Sequence, residues 1–544
     1  MWSRPSVPRG RELPVRQIDA HQPSGAGGLL SLASLLPSFA RALMRTLPPF
    51  PDLRSFLGWC AGEGTFRRIA SPVALAEEMT AVHRQVLLKG GPVLQFDAPM
   101  HADGRISPLP VVTNLFGTRE RVAAGLGVGL TDIPALGQFL AALRNPVPPD
   151  GVRDALSRWP QLAAALRNRP RLTSRAPVQD EVMKEPDLSL LPVQTCWPED
   201  GGPLVTWPVV LTRPEGSALT DTAAYNAGVY RAQVLDSGRM ILRWLAHRGG
   251  AAHHRSYMNA DAGRGKPMPV AVVLGADPAL LLGAALPLPE TVSELAFSGV
   301  LRGARTRLVP ARTIPMLVPA DAEIIIEGWV QPGDTAPEGP FGDHTGYYNS
   351  VEPFPVLTVS AITHRRDPLY LSTWTGRPPD EPSVIGEVFN DLALPVIRQQ
   401  IPEVRDLWLP PAACSYRMAV VSIAKRYPGQ ARRVMMALWG MLPQFSYTKM
   451  VVVVDEDIDP RNWDDIAWAL ATRYDPARDS MILDRTPMDY LDFASPLDGL
   501  AGKIGLDATV KLGAETQRPF GKVMKLSAAA EAAAQRILAA EGLS

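Results

Sequence analysis

Cysteine is nearly absent: Cys60, Cys196 and Cys414 are the only three in 544 residues. Widely spaced and odd in number, they argue against a disulfide frame or a cysteine zinc site and fit a reducing compartment, so a cytoplasmic protein is expected. No apolar run approaches the ~20 residues that a membrane span needs. Net charge is missing as well, with 55 basic side chains against 55 acidic ones. Nothing global points to nucleic acid or to a strong electrostatic membrane anchor, and any bound anion must be met by a local cluster. The familiar catalytic templates are absent too. Without G-x-x-x-x-G-K-[ST], H-E-x-x-H, G-x-S-x-G or a strand-to-helix G-x-G-x-x-G, nucleotide hydrolysis, zinc proteolysis and serine hydrolysis lose ground. There is no internal repeat and no low-complexity tract.

What is present suits a multidomain globular chain: 46% hydrophobic residues over this length can bury several cores, roughly three units. The first 51 residues read as a disordered extension; six arginines there face only Glu12 and Asp19, and a targeting sequence is the lesser alternative. From Asp52 a helix carries Leu53, Phe56, Leu57 and Cys60 on one stripe. A first α+β domain runs to about residue 165, with a helix near Pro72 to Leu88, a strand in "GGPVLQFD" and a helix in "ALGQFLAALRN". "NRPRLTSRAPVQDEV" then reads as a linker.

From about 166 to 355 short β-branched runs separated by Gly, Pro and Asp predict a β-rich barrel or sandwich: "LVTWPVVLTR", "MILRWLAH", "PVAVVLGA", "AEIIIEGWV" and "FPVLTVSAITH". Asp277 is placed to cap a helix that begins at Pro278. Residues 356–544 alternate strands with helices, as an α/β domain does. One of those helices repeats Trp463, Ile466, Ala467 and Leu470, and the last, Ser527 to Gly542, has a nearly all-alanine face suited to packing on another domain or subunit.

Two clusters stand out chemically. In "PEGPFGDHTGYYN", Pro337 to Asn349, Glu338 and Asp343 are five residues apart, so only a loop through the intervening glycines brings them together. If buried, such neighbours hold their last proton tightly, and one becomes an acid near neutral pH. A solvated turn is the blander alternative. In "YNAGVYRAQ" and "RMILRWLAHRGGA", Arg231, Arg243 and Arg248 offer forks for phosphate or carboxylate, and Gly249 lets a ligand approach the backbone. Asn226 and Glu294 offer oxygen ligands of the kind Mg²⁺ or Mn²⁺ prefers. Surface ion pairing is the ordinary alternative for these arginines, and a structural hydrogen bond for His247.

From Asp52 to Phe520 the motifs "TCWPEDGGPL", "NAGVYR", "RWLAHRGGA", "LGADPA", "EGPFGDHTGYYN", "TGRPPDEP", "DPARD", "DYLDFASP" and "GLDAT" resemble the UbiD family of reversible decarboxylases, most closely its ubiquinone-pathway branch. The resemblance implies a central split-barrel domain holding prenylated FMN, made by a separate flavin prenyltransferase. It implies Mn²⁺ (or Mg²⁺) on Asn226 and Glu294, with His247 as a further candidate ligand, K⁺ as a further candidate ion, and cofactor contacts from Val229, Tyr230, Arg231, Arg243, Trp244, Leu245, Arg248 and Gly249. Arg231, Glu338 and Asp343 become the catalytic network, with Glu338 helping to raise the proton affinity of Asp343. Many family members carry Glu where this chain has Asp343. The implied substrate is a 4-hydroxybenzoate with a long isoprenoid at position 3, handled by a homo-oligomer, dimer or hexamer, with peripheral contact at the inner membrane. Two alternatives stay open: a decarboxylase of another aromatic or unsaturated acid, and an inactive prenyl-lipid-binding subunit.

Overall fold

The computed structural model describes residues 45–144, 169–183, 185–246, 248–286, 288, 292–441 and 443–543. The extension up to residue 44 and the boundary at 165 lie outside them. Folded chain begins earlier than Asp52: Phe50 is buried, its ring 5.0 Å from that of Phe56 and 5.8 Å from that of Trp59. The Leu53–Gly62 helix follows, started by Asp52, whose carboxylate accepts the Ser55 N–H in a reciprocal capping box. It buries the predicted stripe of Leu53, Phe56, Leu57 and Cys60.

The Val93–Phe96 strand and the Ile133–Arg144 helix also fall where the pattern puts them. The helix expected from Pro72 begins only at Glu78, because Val73–Ala74 pairs as a strand with Pro99–Met100. A small sheet orders Phe66–Ile69, Val93–Phe96, Val111–Thr113 and Tyr370–Leu371, so the chain returns to its first domain two hundred and more residues later. The expected linker is stitched down. Arg171–Leu172 pairs with Arg307–Pro310, and Glu181–Met183 pairs with Glu352–His364, so these backbone groups find ladder partners.

Among the described residues the central β-rich region is a nine-stranded sheet beside the three-stranded one of Arg171–Leu172, Arg307–Pro310 and Leu317–Pro319. Its longest ladder is a hairpin of Ile324–Glu338 with Glu352–His364. Both arms outrun the hydrophobic pattern. The first continues past Val330 through a register shift, so Pro337 and Glu338, expected in a loop, are paired with Pro353 and Glu352. The domain division expected at residue 355 therefore falls inside a strand. Along the sheet the path runs from Asn226–Val229 at one end to Ala232–Asp236 near the other. Yet only Tyr230 and Arg231 separate those two strands, and three Cα steps span at most about 11 Å. The sheet must curl back on itself, an open barrel whose seam is Tyr230–Arg231. No ladder closes it among the described residues.

Asp277 caps the Pro278–Ala285 helix as expected, accepting the Leu280 N–H, and also takes two hydrogen bonds from the buried Arg302. A shared core runs from Phe56 and Phe116 through Val209 and Ile325 to Ile385 and Leu392 on the long Glu381–Gln400 helix, so the first two units pack as one body. The third has its own core, around Val421, Val434 and Val453. Its sheet orders Val404–Trp408, Met418–Ile423, Met450–Asp455, Leu500–Ala508 and Ser480–Pro487, parallel in the middle and antiparallel at both edges. On the Trp463–Arg473 helix the buried face is Ile466, Ala469 and Arg473 rather than the predicted stripe; Trp463 is exposed and stands edge-on to Trp408. The Ala528–Ala540 helix buries no residue in its own chain. Among the described residues no single helix is long and apolar enough to cross a membrane.

Asp277→Ala removes a cap and strands Arg302 as a buried unpaired cation. Urea unfolding of this variant is expected to show a loss of about 3–5 kcal/mol in the transition that includes the central sheet; an unchanged midpoint contradicts the pairing.

Candidate active site

Arg231 sits at the seam, and its guanidinium is divided between partners that sequence alone leaves far apart. Nε donates to Glu338 Oε1 at 2.8 Å, Nη1 to Asp343 Oδ2 at 2.8 Å and Nη2 to Asn349 Oδ1 at 2.7 Å. Its planar fork suits such divided bonding. Glu338, fully buried, receives a second cation: Arg243 Nη1 donates to its Oε2 at 2.5 Å. Arg243, a cofactor contact by resemblance, bonds Glu338 and the Tyr490 hydroxyl at 2.5 Å and lies over the rings of Phe354 and Tyr490. Two guanidinium groups and two carboxylates balance to zero, which is what lets so many charges stay out of water.

The loop after Glu338 is held from outside. Asn349 Oδ1 accepts the Phe341 N–H, Gln233 Oε1 the Gly339 N–H, and Asp200 Oδ1 the Gly342 N–H at 2.9 Å. Asp200 belongs to "TCWPEDGGPL", whose Trp197 lies so close that a Cβ on Gly342 would come within 2.3 Å of its ring. That contact explains the glycine. The solvated-turn alternative is excluded by this burial.

The expectation that paired carboxylates raise each other's proton affinity fails for Asp343. Burial pushes its carboxyl up, but the hydrogen bond from His344 and the Arg231 charge outweigh it and hold the group well below the usual carboxylate range. Arg231 stands between the two acids, so each faces a cation before it faces the other. His344 shifts in the opposite sense. Burial lowers it, yet the hydrogen bond and charge of Asp343, 2.9 Å from Nδ1, followed by the charge of Asp489, raise it above an ordinary histidine.

Beside the seam is a cradle. The Gly249–Met258 helix begins there with no capping bond from the side chain of its N-cap residue Arg248, and a helix N-terminus of this kind suits a phosphate. A Cβ on Gly249 would meet Asn226 Oδ1 at 2.2 Å, so Asn226 and the helix start are in direct contact. Tyr230 Oη accepts the Gly250 N–H, and the buried Trp244 Nε1 beside Gly250 has no hydrogen-bond partner among the described residues. Leu245, half-buried, accepts the Arg248 N–H in the turn entering the helix, and the Arg248 side chain is exposed. Glu294 reaches the same strand from its own helix: Oε2 accepts the Ala227 N–H at 3.2 Å. Its carboxyl is raised by burial, and no cation pairs with it among the described residues. An unpaired carboxylate and an amide oxygen beside a phosphate-type cradle fit a hard cation. No group of three or more His, Cys, Asp or Glu suited to a metal occurs among the described residues. His247 lies outside the described residues. A cavity of about 450 Å³ among Asp277, Arg302 and Arg307 shares no residue with this site.

Sequence reasoning missed Asn349, Asp200, Gln233 and Tyr490 as parts of the site. All four lie in stretches singled out above, which was the available signal.

Residues 171–378 match the domain family described as the 3-octaprenyl-4-hydroxybenzoate carboxy-lyase Rift-related domain, with the corresponding N-terminal and C-terminal domains matched at 57–140 and 383–508. Among solved structures, the UbiD-class enzyme HmfF from Pelotomaculum thermopropionicum in complex with FMN is 30% identical, with a TM-score of 0.72 over 88% of this chain and 97% of that one. An evolved dimeric form of the same enzyme in complex with prFMN is 29% identical over 88% and 100% of the two chains, with a TM-score of 0.68. The vanillic acid decarboxylase of Sedimentibacter hydroxybenzoicus in closed form is 25% identical over 90% and 98%, with a TM-score of 0.75. Fold and site thus define a decarboxylase, a carboxy-lyase of mixed α/β architecture. The chain belongs to the UbiD family.

The Asp343–His344 pair has a signature in stability. Asp343, depressed in the fold, contributes stability present above its unfolded value near 3.9 and lost as pH falls; His344, raised in the fold, contributes stability fully present below about 6.5 and lost as pH rises through its folded value. The difference in unfolding free energy between wild type and His344→Gln is therefore expected to peak between about pH 4 and 6.5. A difference independent of pH contradicts the pairing.

Proposed function

We propose that this decarboxylase converts 3-polyprenyl-4-hydroxybenzoate to 2-polyprenylphenol in ubiquinone biosynthesis. The observation that carries the mechanism is the single guanidinium of Arg231 bridging Glu338 and Asp343. Arg231 orients the substrate carboxylate, Glu338 holds Arg231 in place, and Asp343 delivers the proton to the ring carbon that loses CO₂. Prenylated FMN, when bound, supplies the electron sink that no side chain offers. Asn226 and Glu294 would hold Mn²⁺ or Mg²⁺ beside its phosphate, while Val229, Tyr230, Trp244, Leu245, Arg248 and Gly249 would line it. No described residue is assigned to K⁺. Asp343 enters the cycle ionised, so it takes up a proton only once the substrate carboxylate claims part of Arg231.

A separate flavin prenyltransferase is the expected source of the cofactor. The polyprenyl substrate is supported by the family description, and its apolar tail by the same token motivates action in the cytoplasm with peripheral contact at the inner membrane. The Ala528–Ala540 helix, with no residue buried in its own chain, supports a homo-oligomer, dimer or hexamer. A second reading, decarboxylation of a smaller aromatic acid, is favoured by the likeness to a vanillic acid decarboxylase.

Feeding 3-geranyl-4-hydroxybenzoate and vanillate to the cofactor-loaded protein and following CO₂ separates the two; release from vanillate alone overturns the first reading. Asp343→Asn is expected to lower kcat by about 10²–10⁴-fold while retaining the cofactor, as loss of a general acid does. Normal turnover in that variant removes Asp343 from the role.

A further inference from the structure

The proton that Asp343 delivers has to reach it, and beside Asp343 stands a histidine whose far nitrogen is unused. His344 Nδ1 is 2.9 Å from Asp343 Oδ1. Its Nε2 is buried without a hydrogen-bond partner and faces Asp489 Oδ2 at 4.0 Å. Asp489 comes from the C-terminal domain, in "DYLDFASP", and is itself held there: its Oδ2 accepts the Tyr416 hydroxyl at 2.7 Å, and its Oδ1 lies 3.5 Å from Arg417 Nη2. The chain of contacts Asp343, His344, Asp489 thus spans from the barrel seam to the third domain.

We propose that His344 is the proton reservoir of the reaction, charged while the site is at rest and kept so by Asp489. This rests on the reading of Asp343 as the group that protonates the ring carbon. At rest, Arg231 and the His344 imidazolium share the Asp343 carboxylate. When the substrate carboxylate draws Arg231 away, Asp343 loses one of its two cations and becomes the more basic partner. The Nδ1 proton of His344 passes to the Asp343 carboxylate, and Asp343 passes a proton to the ring carbon in place of the departing CO₂. His344 is left as the neutral Nε2–H tautomer facing Asp489, and one proton from water restores it in each turnover. The sum is one carboxylate and one proton consumed, one CO₂ and one C–H formed, with no net oxidation.

The charged and titratable groups around His344 come from four elements. Asp343 is on its own loop, Asp489 follows the Ser480–Pro487 strand, Tyr416 and Arg417 lie in one turn, and Asp380 caps the Glu381–Gln400 helix. Arg231 lies on the far side of Asp343, so three carboxylates against two guanidinium groups favour the imidazolium. Asp489 acts through His344 and is a positioning residue. A site whose histidine is held charged by Asp343 and, after it, by Asp489 is completed by the third domain.

The test uses histidine-selective ¹⁵N labelling of the full chain, where only eight histidines contribute, with His344 assigned by its loss in His344→Gln. His344 is expected to be an imidazolium at pH 7, and Asp489→Asn to move its titration down by on the order of one pH unit. A neutral imidazole at pH 7 overturns the proposal. With whichever of 3-geranyl-4-hydroxybenzoate and vanillate the loaded enzyme turns over, kcat is expected to fall as pH rises through the His344 titration. His344→Gln should lose that alkaline limb and about 10- to 100-fold in kcat with little change in KM, within the range of a proton-transfer group; Asp489→Asn should shift the limb to lower pH. Wild-type kcat and an unaltered limb in His344→Gln, with Asp343→Asn inactive, overturn the relay alone. An active Asp343→Asn removes the reading beneath it.

Discussion

The site depends on one guanidinium. Arg231 is bonded to Glu338, Asp343 and Asn349 at once, and every other arrangement around it keeps that fork in place. A cation with four oxygen acceptors on three residues gives up a bond only to a group that replaces it, as an incoming carboxylate does. Arg243 completes the charge balance on Glu338, so the cluster is neutral as a whole while its Asp343 corner is strongly biased toward the ionised form.

Topology explains why an arginine here can do this. Two strands at distant places on the sheet path are joined by only Tyr230 and Arg231, which forces the sheet to curl and leaves this dipeptide at its seam. The long hairpin then brings Glu338 to the same place at the end of its first arm. The loop beyond it is pinned by Asp200, Gln233 and Asn349, and the third domain adds Tyr490 and Asp489 from outside. Residues from four stretches of chain thus meet at one point, with the phosphate-type cradle of Asn226 and Gly249 beside it.

Much of this was legible in the sequence, for reasons that are local. The Leu53–Cys60 stripe, the Asp277 cap and the β-branched runs depend on neighbours a few residues away, and each formed as its pattern required. The Arg231–Glu338–Asp343 set came from resemblance, and the geometry brings those residues into contact. What was not legible depends on partners far along the chain. The stretch after residue 168 reads as a linker by composition, but strands elsewhere capture it. Trp463 fits a helical stripe, yet the face that meets the sheet is set by Ile466 and Ala469. The protonation of Asp343 could not be read at all. Two acids five residues apart suggest mutual repulsion, and only the structure puts Arg231 between them.

The central claim is that this seam holds a flavin-derived electron sink beside an arginine–acid network. Mass spectrometry of the small molecules released from the protein after co-expression with a flavin prenyltransferase, with metal analysis of the same sample, tests it most directly. The account predicts prenylated FMN and manganese, each near one per chain. A folded protein that carries neither would contradict it.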